Sequence, residues 1–180
     1  MLNKIYYQNQ IYVKNDVSTL LVSAFPENER PPVDYFFKNF ENDNNDLLAY
    51  YENETFIGFT ALTFYKDICY IFFLAVSPIY RNKGYGSQII EILKKEYSDY
   101  ILLLAYEEVD QKYPNYLERI NREKFYLKRG FINNNLKTNE WGVIFQTAYI
   151  GHRKVTFEEY QQIFRLGFGD FALEYLKKAN

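Results

Sequence analysis

The chain has one cysteine, one histidine, one tryptophan and one methionine among 180 residues. A single cysteine cannot close an internal disulfide, which agrees with a reducing compartment. Cys69 lies between Ile68 and Tyr70 and reads as a buried strand residue. One Cys and one His (His152) leave no material for the usual Cys/His zinc clusters or for a Cys–His catalytic pair, so no metal is expected. No window is apolar enough for a membrane span, and the start MLNKIYYQN has no signal core. These absences predict a cytoplasmic protein that does not engage a membrane. An excess of positive charge is missing too: net charge is -2. Nucleic-acid binding is not expected, because Arg119, Arg122, Lys124, Lys128 and Arg129 scatter round one predicted helix.

Aromatics are abundant, with 19 Tyr and 16 Phe, and 48% of residues are hydrophobic, enough for a folded core. Residues 3–14 are β-prone. Residues 17–25 predict a short helix from Asp16, ended by Pro26, and Pro31-Pro32 opens a second to about Glu41. Runs 47–51, 55–65 and 68–76 predict an antiparallel meander. Helical periodicity follows over 84–97, with Tyr85, Ile89, Ile92, Leu93 and Tyr97 on one face. The apolar run Ile101–Ala105 predicts a strand covered on both faces and reached by a parallel crossover. A helix over 116–129 stops at Gly130, strands follow near 131–134 and 141–150, and Thr156-Phe-Glu-Glu159 is a capping box for a helix to Leu166. Asp170 is a candidate cap for a last helix to Lys178. The order predicts a mixed-sheet α/β protein.

The segment AVSPIYRNKGYGSQII (75–90) carries the chemistry. An apolar strand stops, two glycines and two cations intervene, and a helix begins. Helix N-termini expose unpaired amides and partial positive charge, and glycines let a ligand approach the backbone. Arg81 and Lys83 add full charges. The pattern is no Walker loop, and Gly84-x-Gly86 lacks the third glycine of a dinucleotide fingerprint. Alone, it reads first as a tight turn that merely needs glycine.

Arg-x-x-Gly-x-Gly after a strand ending LAVSP resembles the acetyl-CoA loop of the GNAT superfamily of N-acetyltransferases. FYLKRGF (125–131) resembles that family's later motif, a helix tyrosine preceding Gly-Phe, and the spacing between the two is also similar. The likeness covers roughly residues 47–150; AFPENERPP (24–32) resembles the segment between the first two helices of some bacterial members. The resemblance implies a GNAT-like, mostly antiparallel sheet with a splayed parallel strand pair and flanking helices. It implies residues 1–150 as the acetyltransferase domain and 151–180 as a helical extension packed on it. It further implies acetyl-CoA as donor, with backbone groups of Leu74, Ala75 and Val76 binding pantetheine and the acetyl oxygen. The loop Arg81, Asn82, Lys83, Gly84, Tyr85, Gly86 and Ser87 would then hold the pyrophosphate.

Transfer to an amine needs a base for the amine, an oxyanion site and an acid for the thiolate. The resemblance gives the last role to Tyr126. A helical projection places Leu117, Ile120, Phe125 and Leu127 on an apolar arc, with Tyr126, Arg119 and Arg122 opposite it. Candidate bases are Glu107 and Glu108, on opposite faces if the strand continues, and Glu29; an ordered water chain is the alternative. Many family members carry Asn and Ala where this chain has Arg119 and Arg122, and Arg122 is a candidate contact to cofactor or substrate. Segment 25–46 holds Glu27, Glu29, Asp34, Glu41, Asp43 and Asp46 against Arg30 and Lys38. That favours a cationic small molecule or peptide amine as acceptor. A non-catalytic acetyl-CoA-binding domain is the alternative. Phe157, Tyr160, Ile163, Phe164 and Phe168 are too apolar for water, so the tail docks on the domain or in a homodimer.

Overall fold

Along the chain, β1 (Leu2–Tyr6) leads to helices α1 (Ile11–Ala24) and α2 (Val33–Lys38), then β2 (Asn45–Glu52), β3 (Thr55–Tyr65) and β4 (Ile68–Val76). Helix α3 (Tyr85–Glu96), β5 (Ile101–Glu107), α4 (Tyr116–Leu127), β6 (Ile132–Glu140), β7 (Val143–Ile150), α5 (Phe157–Phe168) and β8 (Leu176–Ala179) follow. This is a computed structural model, and it describes residues 2–7, 10–25, 27 and 30–179. Two units make up the chain: residues up to Phe64 with Ile71–Glu96, and Tyr65–Tyr70 with the chain from Tyr97 onward. Among the described residues no helix is long and apolar enough to cross a membrane.

In the first unit the strand order is β1-β2-β3-β4. β1 and β2 are antiparallel, as are β2 and β3, and Asn53 at φ 55° closes the tight turn between the last two. The register shifts between Tyr50, opposite Gly58, and Tyr51, opposite Phe56, so Ile57 is an extra residue in β3. This bulge meets the end of β4. A Cβ on Gly58 would lie 2.2 Å from the Ala75 carbonyl oxygen, and Ser77 N–H donates to the Ile57 carbonyl at 2.8 Å. Only glycine permits so close a backbone approach.

Helix α1 is longer than its pattern suggested. It begins at Ile11 rather than beyond Asp16, because Val13, Val17, Leu20 and Leu21 form a buried stripe at helical spacing. Ile11 and Tyr12, which made the segment look β-prone, are exposed. Its C-terminal Phe25 packs edge-on against Phe73 of β4 at 4.8 Å, and Phe36 of α2 meets Phe73 at 5.7 Å. The expected end at Pro26 lies outside the described residues.

In the second unit the order is β4-β5-β7-β6-β8, beginning from the first residues of β4. β4 and β5 are the parallel pair. β5 with β7, β7 with β6 and β6 with β8 are antiparallel. β6 runs six residues beyond the expected 134, through a polar stretch that owes its conformation to pairing on both edges. The capping box is present: Glu159 N–H donates to Thr156 and the Glu159 carboxylate accepts from Thr156 N–H. Tyr160, Ile163 and Phe164 are buried, Phe168 nearly so, and Phe157 half-buried. The expected last helix from Asp170 to Lys178 is instead a 3-10 turn, Asp170–Tyr175, followed by β8. Gly169 at φ 88° breaks the helix, and the open edge of β6 takes the final residues as a strand. The fold is mixed α/β, with mostly antiparallel pairing.

Candidate functional site

Each unit carries its own candidate residues. In the first unit, β4 alternates: Ile71, Phe73 and Ala75 are buried, while Phe72, Leu74 and Val76 are half-buried. Pro78–Tyr80 form a 3-10 turn after β4, and Arg81 folds back so that Nε donates to the Val76 carbonyl at 3.1 Å. The Arg81 guanidinium thus caps the strand end. Its amide bonds the Pro78 carbonyl at 3.3 Å, and the Ser87 amide bonds the Gly84 carbonyl at 3.1 Å. Between them the backbone is left-handed at Asn82 (φ 61°) and at Gly84 (φ 86°). Left-handed residues in such a turn aim neighbouring amides to one side, a shape that cradles anions. The Gln88 amide bonds the same Gly84 carbonyl at 3.1 Å, so the first turn of α3 is wound from Gly84.

Arg81, Asn82, Lys83 and Gly84 are exposed, while Tyr85, Gly86 and Ser87 are half-buried. A side chain at Gly84 would meet nothing within 4 Å, so the glycine is needed for its φ and the space above it is open. Lys83 Nζ sits 5.3 Å from the Tyr80 ring centre, and Tyr85 Oη donates to Glu52 Oε2 at 2.6 Å, which anchors the start of α3 to β2. Arg30 Nε donates to the Phe25 carbonyl at 3.2 Å. Glu29 lies outside the described residues.

In the second unit, Glu107 ends β5 and is buried. Its Oε1 pairs with Arg119 Nη2 at 2.7 Å and its Oε2 with Arg122 Nη1 at 2.5 Å. Arg119 is itself buried. Nη1 donates to the Glu108 carbonyl at 2.9 Å, Nε to Asn115 Oδ1 at 2.8 Å, and the guanidinium lies 3.8 Å from the centre of the Tyr113 ring. The Glu108 carboxylate turns instead to Lys137 (2.8 Å) and Lys112 (3.6 Å). Glu107 and Glu108 therefore take different partners, and ammonium or guanidinium groups occupy both. Arg122 is committed to Glu107.

The apolar arc expected to bury α4 does so only in part: Ile120 and Phe125 are half-buried. Leu117 is 72% exposed and Leu127 44%, while Arg119 is the buried residue of the helix. Arg119, Glu123 and Tyr126, at helical spacing, form the inward face. Tyr126, expected opposite the buried side, is thus turned inward. Its ring centre lies 5.7 Å from that of Tyr106 on β5 and 5.7 Å from that of Phe131. Burial pushes the phenol above its usual value, and Arg122 pulls the other way; the hydroxyl keeps its proton at neutral pH.

Three neighbours gave no sign in the sequence. Tyr106 Oη donates to Glu123 Oε1 at 3.3 Å, and Gln146 Nε2 of β7 donates to the same oxygen at 2.8 Å. Burial, then Glu123, raise the Tyr106 pKa. Glu123 does stand at i, i+4, i+7 spacing with Arg119 and Tyr126, but a hydrophobicity pattern ignores it. Among the described residues no three His, Cys, Asp or Glu side chains are grouped as metal ligands.

The family model for the acetyltransferase (GNAT) family matches residues 14–131. A protein from Bacteroides thetaiotaomicron described as a GNAT-family acetyltransferase has a similar structure, with TM-score 0.74, 17% identity, and coverage of 94% of this chain and 98% of its own. An aminoglycoside 6'-N-acetyltransferase in complex with coenzyme A aligns with TM-score 0.66 at 16% identity over 86% of this chain and 99% of its own. The ribosomal-protein-S18-alanine N-acetyltransferase of Escherichia coli aligns with TM-score 0.64 at 15% identity over 87% and 97%. No curated protein sequence matches the chain.

Proposed function

We propose that this chain, which belongs to the acetyltransferase (GNAT) family, transfers an acetyl group from acetyl-CoA to a primary amine. The observation that carries the reading is the loop Arg81–Ser87, where left-handed Asn82 and Gly84 precede the N-terminus of α3 and the space at Gly84 is open. Such backbone fits the phosphate end of acetyl-CoA, and Lys83 adds charge. Leu74 and Val76, on the less buried face of β4, suit a pantetheine arm. Acetyl-CoA would supply an acyl group activated as a thioester.

The remaining chemistry belongs to the chain's own side chains. Tyr126 holds a proton at Oη, because burial keeps the phenol neutral; it is the general acid for the leaving sulfur. Glu107 fixes α4 to β5 through Arg119 and Arg122 and so holds Tyr126 in place. Nitrogen as the acceptor atom is supported by two structural relatives whose names describe N-acetyltransferases. The acids of segment 25–46 favour a cationic acceptor, and Asp34, 99% exposed at its side chain, shows that part of that charge faces water.

A second reading, an acetyl-CoA-binding domain without turnover, is favoured by one observation: the candidate base Glu107 is tied to both Arg119 and Arg122. Release of free thiol from acetyl-CoA in the presence of a panel of amines separates the two. Amine-dependent release is expected; cofactor binding without release would leave the second reading.

A further inference from the structure

We propose that Glu123 receives the ammonium group of the acceptor and takes its proton. This inference rests on the reading above and adds the general base that it lacks. A base needs a carboxylate that is accessible, ionised and not already neutralised. Most acids nearby fail. Glu107 is held by two guanidiniums, Glu108 by two lysines, and Asp110 by Lys112 at 2.8 Å. Glu140 is buried, and its Oε1 accepts from Tyr160 at 2.8 Å and Thr138 at 2.6 Å.

Glu123 is different. It is half-buried, and its two hydrogen-bond donors, Tyr106 and Gln146, are neutral and share Oε1. Among the described residues no cation pairs with it and Oε2 has no partner. It lies one helical turn before Tyr126, at a spacing that puts the two side chains on one face, about 5–6 Å apart at Cβ. The groups facing it are Tyr106 from β5, Gln146 from β7, and Tyr126 on its own helix; the charge of Arg122 is spent on Glu107.

An unneutralised, half-buried carboxylate one helical turn from the half-buried Tyr126 ring is suited to an alkylammonium ion. It offers one full charge beside the ring of Tyr126. The acceptor ammonium gives one proton to Oε2, and the freed nitrogen forms the N–C bond as the C–S bond breaks. The sulfur takes the proton of Tyr126 Oη, the second N–H proton restores that phenol, and Glu123 releases its own proton to water. Atoms and charge balance with one proton released per acetyl group transferred.

The test uses the best acceptor from a panel of spermidine, kanamycin and peptides with free N-termini. Glu123→Gln keeps an oxygen for Tyr106 and Gln146 and removes the base. Expected are a fall in kcat/KM of roughly 10²-fold or more, loss of the acidic limb of the pH–rate profile, and partial recovery in Glu123→Asp. The acceptor's calorimetric affinity for the protein saturated with CoA should weaken by about tenfold, with affinity for acetyl-CoA unchanged. A Glu123→Gln protein with wild-type rates and pH profile overturns this inference and leaves the proposed function standing. A wild-type protein that acetylates none of the panel overturns both.

Discussion

Arg122 Nη1 lies 2.5 Å from Glu107 Oε2, so a residue near the middle of α4 is bound to the last residue of β5. Arg119, one turn earlier, takes the other oxygen of the same carboxylate. Helix α4 is thus fixed to the sheet by ionic pairs while two of its leucines face water, and the tyrosine one turn beyond Arg122 is held against Tyr106.

Removing Glu107 should cost more than removing Arg122. Glu107→Gln leaves the buried Arg119 guanidinium without a counter-charge and should cost about 3–5 kcal/mol. Arg122, 44% exposed at its side chain, contributes a solvent-screened pair, and Arg122→Ala should cost about 0–1 kcal/mol. Urea unfolding measures both. Equal losses would show that the pairs do not differ in burial as the structure has them.

Gly84 is required for its backbone angle and not for lack of room. Gly84→Val should weaken acetyl-CoA binding by at least roughly tenfold, because a branched residue resists a left-handed conformation. Gly84→Asn should keep most of the affinity, since asparagine tolerates that region. Titration calorimetry on both proteins decides. If asparagine is as damaging as valine, a side chain blocks the ligand and the angle is not the cause.

Stability should depend on pH through Glu140. Burial raises its carboxyl above the ordinary value of 4.5 in the folded state. The native protein therefore binds this proton more tightly than the unfolded chain does. Stability is greatest below 4.5 and falls as pH rises through the raised folded value, after which it is flat. Glu140→Gln should abolish that decline. Asp67 and Glu159, both lowered chiefly by Arg153, act in the opposite sense, losing stability as acid protonates them below their ordinary values. Melting temperatures of the wild type and Glu140→Gln from pH 4 to pH 8 test the sign. A decline retained in the variant would assign it to another group.

The sharp turn of Arg81–Ser87 into α3 was legible because glycines, cations and a helix start coincide within a few residues, and local sequence there dictates local backbone. The direction of α4 was not. Hydrophobic periodicity assumes that apolar side chains face the interior, and here Arg119 is buried by Glu107 while Leu117 and Leu127 are exposed. The ion pair depends on a residue twelve positions upstream of Arg119, which no helical window contains. β8 was missed for a related reason: four residues become a strand only because β6 offers an edge. Trp141 shows the same non-local control. It takes φ 48° beside Gly142 in a two-residue hairpin turn, a costly angle for a bulky residue. Contacts with Phe164 at 5.2 Å and Phe168 at 5.4 Å hold it there.

Tyr126→Phe preserves the ring packing against Tyr106 and Phe131 and removes the proton. Turnover should fall by roughly 10²–10⁴-fold, with acetyl-CoA affinity little changed. Steady-state kinetics with binding measured in parallel gives the answer. Near-normal turnover would transfer the acid role to another group or to water.

Mass spectrometry of the acceptor after incubation with the protein and acetyl-CoA tests the central claim most directly. The expected result is one acetyl group per acceptor, resistant to hydroxylamine and located by fragmentation on an amine nitrogen, and absent when the protein is omitted. An acetyl group found on oxygen, or unmodified amines throughout the panel despite measurable acetyl-CoA binding, would contradict amine acetylation by this chain.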